Sequence, residues 1–402
     1  MKPLDGIKVL DLTRVLAGPF CTMILGDFGA EIIKIENPDG GDDTRSFGPP
    51  FVEGESAYFL SINRNKKSVT VNLKEQKGRE IVYQLAAKSD VVIENFRPGT
   101  AEKLGLGYEQ LTRLNEKIVY CSISGFGQTG PEKFRPGYDL VVQGMGGIMD
   151  LTGDPNQPPM KVGISQADLL SGIYAVQGIL LALLAREKTG KGQKIDVSML
   201  DGQVSLLTFQ AGIYFTTGKT PKRKGNQHPT ICPYETFETS DGYINIAIGN
   251  DKLWIQFCTL LNKISPDLFP ANISSDPKFA TNPERVKNRN ELFPIINKII
   301  SQKTTDAWLK IFDEKGIPAG PILSLDRVLN HPQVKAREMV IEIPHPKIGK
   351  VKLTGIPVKL SETAGAIRTP PPLLGEHTED VLKNILGYDE GTIQFLRRKN
   401  VI

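Results

Sequence analysis

Two hydrophobic periods alternate along the first 125 residues. Residues 7–12, 31–36, 68–73, 90–93 and 118–123 are short runs rich in Ile, Val and Leu. They are too short for helices and too continuous for strands with one wet face, so they predict strands buried on both sides. Between them, residues 20–28, 80–87 and 108–114 carry apolar side chains at helical spacing. Strands separated by helices predict a parallel sheet covered on both faces, an α/β, Rossmann-like arrangement. The longest apolar run, residues 167–185, is interrupted by Asp168, Ser171, Gly172 and Gln177 and closed by Arg186-Glu187-Lys188. That polarity predicts a helix buried on most sides rather than a bilayer span.

The pattern changes near Pro221. Residues 236–239 and 243–248 flank Ser240-Asp241-Gly242 and predict a hairpin, with helices to follow around residues 251–261, 290–301 and 305–314. A second turn-linked strand pair is predicted at residues 340–343 and 350–354. After Pro370-Pro371-Pro372 an amphipathic helix is expected over residues 378–386, capped by Thr378. The expected division is a large α/β domain from residues 1–205 and 330–402, a small α+β domain over 221–325, and linkers at 206–220 and 326–329.

Composition narrows the function classes. Lys and Arg number 49 against 45 Asp and Glu, a net charge of +4, far from the basic excess of a nucleic-acid binder. Cys21, Cys121, Cys232 and Cys258 show no CxxC spacing, and His228, His331, His345 and His377 form no HxH or HExxH pair. Neither a disulfide framework nor a metal site is expected, and a reducing compartment is. The strand pattern begins at Ile7, leaving no room for a signal sequence, so a cytoplasmic location off the membrane is expected.

The first strand-to-helix turn reads Arg14-Val15-Leu16-Ala17-Gly18-Pro19. It lacks GxGxxG, and the chain has no GxxxxGK[ST], which sets aside nicotinamide dehydrogenases and P-loop nucleotidases. Asp168 is the most informative residue. Ser165 three positions before it suggests a helix start with a capping pair, and the plain reading is that Asp168 caps the apolar helix. The chemical reading uses the same place. A carboxylate in a first turn is held ionised by the helix dipole, worth about 0.3–1 kcal/mol, and is a competent covalent nucleophile toward an activated acyl group. Gly163 and Gly172 would let ligand and backbone approach closely.

The opening Pro3-Leu4-Asp5-Gly6-Ile7-Lys8-Val9-Leu10-Asp11 resembles that of the class III CoA-transferases. So do Leu16-Ala17-Gly18-Pro19, Gly41-Asp42-Asp43-Thr44-Arg45, Asn63-Arg64-Asn65-Lys66-Lys67-Ser68, Glu94-Asn95-Phe96-Arg97-Pro98-Gly99, Thr189-Gly190-Lys191-Gly192-Gln193 and Pro372-Leu373-Leu374-Gly375-Glu376-His377-Thr378. The resemblance implies an interlocked homodimer whose substrates are acyl-CoA and a carboxylic acid, with no permanently bound cofactor. It makes Asp168 the nucleophile, passing through an aspartyl anhydride and an aspartyl-CoA thioester. Ile231-Cys232-Pro233-Tyr234, Asp241-Gly242-Tyr243-Ile244 and the proline run are similar to members acting on succinyl-CoA and a dicarboxylate such as glutarate.

The resemblance also implies that Val15, Ala17, Lys74, Asn95, Phe96, Lys103 and Tyr138 line the CoA pocket. Arg64, Lys66 and Lys67 form the densest basic cluster nearby, and Arg45 is a candidate partner for a far carboxylate. Backbone amides near Leu16-Ala17-Gly18 and a loop of Gly225, Asn226, Gln227 and His228 are oxyanion candidates. Leu16 stands where formyl-CoA transferase has glutamine, and this loop keeps a single glycine, so a larger acyl group is expected. Two alternatives stay open. An α-methylacyl-CoA racemase would need a histidine where Tyr138 precedes Asp139, and tyrosine is a poor base at neutral pH. A non-catalytic acyl-CoA-binding protein would have no use for Asp168.

Overall fold

The computed structural model describes residues 1–402. The chain forms two compact units: Met1–Met149, Lys161–Gly218 and Pro332–Ile402 in the first, Asp150–Met160 and Lys219–His331 in the second.

The first unit is built on β1 (Lys8–Asp11), β2 (Glu31–Glu36), β3 (Lys66–Thr70), β4 (Val91–Glu94), β5 (Val119–Ser124) and β6 (Lys194–Ser198). They form one parallel sheet in the order β3-β2-β1-β4-β5-β6. The two-residue side-chain period sorts each strand between two cores. Leu10, Ile33, Val92 and Tyr120 pack on one face beneath Ile81 and Leu85 of a helix over Gln76–Ala87. Val9, Ile32, Ile93 and Cys121 pack on the other, beneath Cys21 and Leu25 of α1 (Ala17–Asp27) and Ala175 and Ile179 of a long helix over Gln166–Thr189. Both faces are covered, which is why Val, Leu and Ile recur in the central strands β1, β2 and β4.

The structure departs from the sequence pattern at three places. The sixth strand, Lys194–Ser198, is absent from the predicted set: its first three residues are exposed or half-buried and read as polar sequence. The long helix is not buried on most sides. Ile173, Leu180, Leu181 and Leu184 are exposed as one stripe, although by length and composition the helix is apolar enough to cross a membrane. Thr378 does not cap the helix Thr378–Asn384; the N-cap position is His377, and the Thr378 hydroxyl bonds the backbone N–H and hydroxyl of Thr70 instead.

The second unit holds an antiparallel sheet of Tyr234–Thr239, Gly242–Ala247 and Ala319–Pro321. Phe237, Ile244 and Ile246 pack there against Trp254, Phe257, Leu292, Trp308 and Phe312 from its helices. The tail hairpin, Val340–His345 with Gly349–Thr354, belongs to the first unit.

Candidate active site

In a sheet ordered 3-2-1-4-5-6 the connections leave β1 and β4 in opposite directions, so a crevice opens beyond their carboxyl ends. The residues after β1 and β4 here are Arg14–Ala17 in sequence and Asn95-Phe96-Arg97-Pro98. Both segments line a cavity of about 140 Å³, together with Gly125, Arg135, Gly137, Tyr138, Met199 and Asp168. A larger cavity of about 390 Å³ is lined by Thr13, Lys34, Glu36, Asp42, Asn72 and Lys74. Arg14, Asp43 and Phe96 line both.

Small residues bring the walls together. Helix α2 (Asp139–Met145) follows Tyr138, and α3 (Gln166–Thr189) carries Asp168. A Cβ on Gly172 would lie 2.7 Å from the Ala17 carbonyl oxygen, so the glycine is what lets α3 pack against α1. Its use is helix packing rather than ligand approach. Asp168 is four residues earlier on the same face of α3, which puts its carboxyl beside the start of α1. On the opposite wall Gly125 and Gly137 touch backbone to backbone: a Cβ on either would lie 2.7 or 2.6 Å from the other's Cα.

The turn after β1 is strained and held by buried charge. Val15 has φ 68, a left-handed conformation that a β-branched residue adopts at a cost of about 1–3 kcal/mol. Its N–H donates to Asp42 Oδ1 (3.2 Å), and Asp42 in turn pairs with Lys34 Nζ (2.8 Å), both side chains fully buried. Lys34 also donates to the Thr13 carbonyl (2.7 Å). Burial opposes the charge on Asp42, but Lys34 overrides it and brings the carboxyl down to about 2. Asn95 grips the preceding residue from both sides, accepting from Arg14 N–H (2.9 Å) and donating to Arg14 C=O (2.7 Å).

Asp168 is neither a cap nor readily ionised. Ser165 occupies the N-cap of α3 but makes no side-chain cap bond, and the Asp168 carboxyl accepts no hydrogen bond. The Ala167 N–H is taken by Asp139 Oδ1 from α2 (2.9 Å). Burial, and then the Asp139 charge, push Asp168 up to about 7. The dipole argument fails because a few tenths to one kcal/mol is smaller than the cost of desolvating the anion. Opposite, α1 opens on Leu16 without a side-chain cap, so the amide of Ala17, which lines the cavity, has no partner within the helix and can donate to an oxygen that gains charge.

Of the residues expected around CoA, Val15, Leu16, Ala17, Asn95, Phe96 and Tyr138 lie with Asp168 in the smaller cavity, and Lys74 with Phe96 in the larger. Lys103 sits exposed at the end of a short helix and lines neither. The basic cluster is not available to phosphate. Arg64 is buried on Asp27 (2.7 Å); Lys66 is buried against the Pro19 carbonyl and Asn63; Lys67 pairs with Glu31 (2.8 Å). Arg45 makes a two-pronged bond to buried Glu36 (2.7 and 2.7 Å), stacks 3.7 Å over Phe59 and donates to the Pro372 carbonyl, which leaves it no carboxylate to recruit. Gly225, Asn226, Gln227 and His228 belong to the second unit. There the Gly225 N–H bonds Gly153, Asn226 lines a cavity of about 640 Å³, Gln227 meets Arg289, and His228 N–H bonds the Tyr234 carbonyl. Arg97, Arg135 and Met199 were not foreseen. Met199 follows the missed strand, and Arg97 sits unremarked inside a motif that was read for its neighbours.

Residues 4–378 match CoA-transferase family III. Over all 402 residues the chain is 47% identical to the mouse (Mus musculus) succinyl-CoA:glutarate CoA-transferase, covering 91% of it. It is 44% identical over 360 residues to the acetyl-CoA:oxalate CoA-transferase of Acetobacter aceti, 89% of each chain. The crystal structure of a CAIB/BAIF family protein from Brucella suis superposes with a TM-score of 0.84 at 44% identity, covering 96% of this chain and 99% of that one. With a parallel sheet, a carboxyl at its switch point and this likeness from end to end, the chain belongs to CoA-transferase family III.

Proposed function

We propose that the chain transfers CoA from an acyl-CoA, succinyl-CoA by preference, to a carboxylic acid, a dicarboxylate such as glutarate, with Asp168 as covalent carrier. The observation that carries this reading is the Asp168 carboxyl: unbonded, desolvated and facing the uncapped start of α1 across a small cavity. Its ionised form attacks the donor thioester carbonyl. The oxygen gains charge beside the Ala17 amide, the C–S bond breaks, and CoA thiolate leaves a mixed anhydride. The thiolate then attacks the Asp168 acyl carbon, releasing the donor acid and leaving an aspartyl-CoA thioester. The acceptor carboxylate attacks that thioester and expels thiolate again. Thiolate attack on the acceptor's acyl carbon gives the new acyl-CoA and returns Asp168. Each step exchanges groups of similar activation, so no further cofactor is required.

The nucleotide end of CoA fits the larger cavity, where exposed Lys74 supplies positive charge beside Arg14, itself paired with Asp43 (3.1 Å). A homodimer is supported by the exposed Ile173, Leu180, Leu181 and Leu184 stripe on α3, and a cytoplasmic setting by four buried, unpaired thiols. Tyr138 in place of histidine argues against racemisation.

The test is formation of glutaryl-CoA from succinyl-CoA and labelled glutarate, alongside a panel of other acids. Asp168→Asn is expected to lower the rate about 10³-fold or more. Full activity in that variant would overturn the reading, and α-proton exchange without acyl exchange would replace it with racemase.

A further inference from the structure

We propose that Gln143 is a positioning residue for the transfer reaction: it ties Asp139 and residues 162–164 to the start of α3 and so aims the Asp168 carboxyl into its cavity. This rests on the reading of Asp168 as the covalent carrier. Gln143 lies on α2 and is fully buried. Its Nε2 donates to Asp139 Oδ2 (2.7 Å) and to the Ile164 carbonyl (3.3 Å), and its Oε1 accepts from Val162 N–H (3.0 Å). The other oxygen of Asp139 accepts from Ala167 N–H (2.9 Å), the residue before Asp168. The first turn of α3 is therefore held from α2 and not by its own cap, Ser165. Remove the amide and one Asp139 oxygen and the Val162 N–H lose their partners inside the protein. Asp139 is then free to turn from Ala167, and the carboxyl next in sequence loses its aim.

The groups facing this pair are known. Tyr58 is pushed up to about 12 by burial and by the charges of Asp168 and Asp139. Tyr138, Arg14, Arg97 and Arg135 line the same cavity as Asp168. None of them bonds Gln143, so a change at Gln143 reaches Asp168 through Asp139 and the α3 start.

Two variants separate positioning from bulk. Gln143→Leu keeps the approximate volume and removes every polar contact. It is expected to lower kcat roughly 10²-fold, the effect of misplacing a reacting group by about 1 Å, with the KM for succinyl-CoA little changed. Gln143→Glu has the same shape. Protonated, it donates to Asp139 and accepts from Val162; ionised, it offers no donor and faces the Asp139 carboxylate. Its activity is expected to approach wild type near about pH 6 and to fall as pH rises past about 8, an alkaline limb that the wild type lacks. If Gln143→Leu does not fold, the Gln143→Glu profile decides alone. A wild-type profile for Gln143→Glu overturns the proposal, as does an unchanged kcat for Gln143→Leu. Hydroxylamine trapping on the wild type, run in parallel, distinguishes the two levels. Label at Asp168 with indifferent Gln143 variants sinks only the positioning role; no label at Asp168 sinks the carrier reading and this proposal with it.

Discussion

A carboxyl that is half-buried, unbonded and beside another carboxylate is a poor resting anion, and the same features make it a strong nucleophile once ionised. Stability and chemistry then oppose each other at Asp168. Its proton is held in the fold up to about pH 7 but is lost near 3.8 in the unfolded chain, so stability falls as pH rises between those values and stays low above them. Asp168→Asn is expected to unfold later than wild type at pH 8, by up to about 4 kcal/mol, with no gain at pH 3.5; urea titrations at the two pH values check this. Wild-type kcat/KM is expected to rise with pH through about 7 as Asp168 ionises. Arg45 makes the opposite case, charge spent wholly on structure. Arg45→Lys should destabilise the fold by about 1–3 kcal/mol through loss of the paired bonds to Glu36, while leaving the KM for a dicarboxylate unchanged. The contrast shows what a chain of letters conveys at this scale. Asp168 stood out because an acidic residue interrupts an apolar run. Arg45, Arg64, Lys66 and Lys67 misled because sequence displays a charge without displaying the partner that consumes it.

Secondary elements were legible where one period dominated. Strands β1, β2, β4 and β5 lie inside the sheet and are covered on both faces, so their apolar runs stand out; β3, at one edge, begins on Lys66-Lys67-Ser68, and the apolar pattern puts it two residues late. Strand β6 has Lys194 and Asp196 among its first three residues and sits at the sheet edge, where side chains reach solvent and the signal fades. The start of α3 was misread for a related reason. Ser165 and Asp168 have the spacing of a local cap, but the capping group comes from Asp139 on another helix, a long-range contact that spacing does not encode. The same helix carries a prediction. Its exposed apolar stripe is the face proposed above for a homodimer, so the unsubstituted chain is expected to sediment as a dimer and Leu181→Asp with Leu184→Asp as a monomer in analytical ultracentrifugation. A dimer that persists would place the interface elsewhere.

At the level of the molecule, the sheet order made the site findable and the fingerprint did not. The chain lacks GxGxxG, yet its strands run 3-2-1-4-5-6 and the cavities around Asp168 and Lys74 sit beyond the carboxyl ends where that order reverses. The reason lies in the turn after β1. A nucleotide fingerprint uses glycines for a tight turn, whereas here Val15 is forced into a left-handed conformation by Asp42 and Lys34. The turn and the start of α1 share a cavity with Asp168, and the adjoining larger cavity reaches Lys74.

Covalent capture tests the central claim most directly. The protein is mixed with succinyl-CoA, quenched with hydroxylamine, digested and analysed by mass spectrometry. A hydroxamate on Asp168 is expected that appears only with the thioester and is absent from Asp168→Asn. Turnover of glutarate to glutaryl-CoA with Asp168 unmodified at every time point would contradict it.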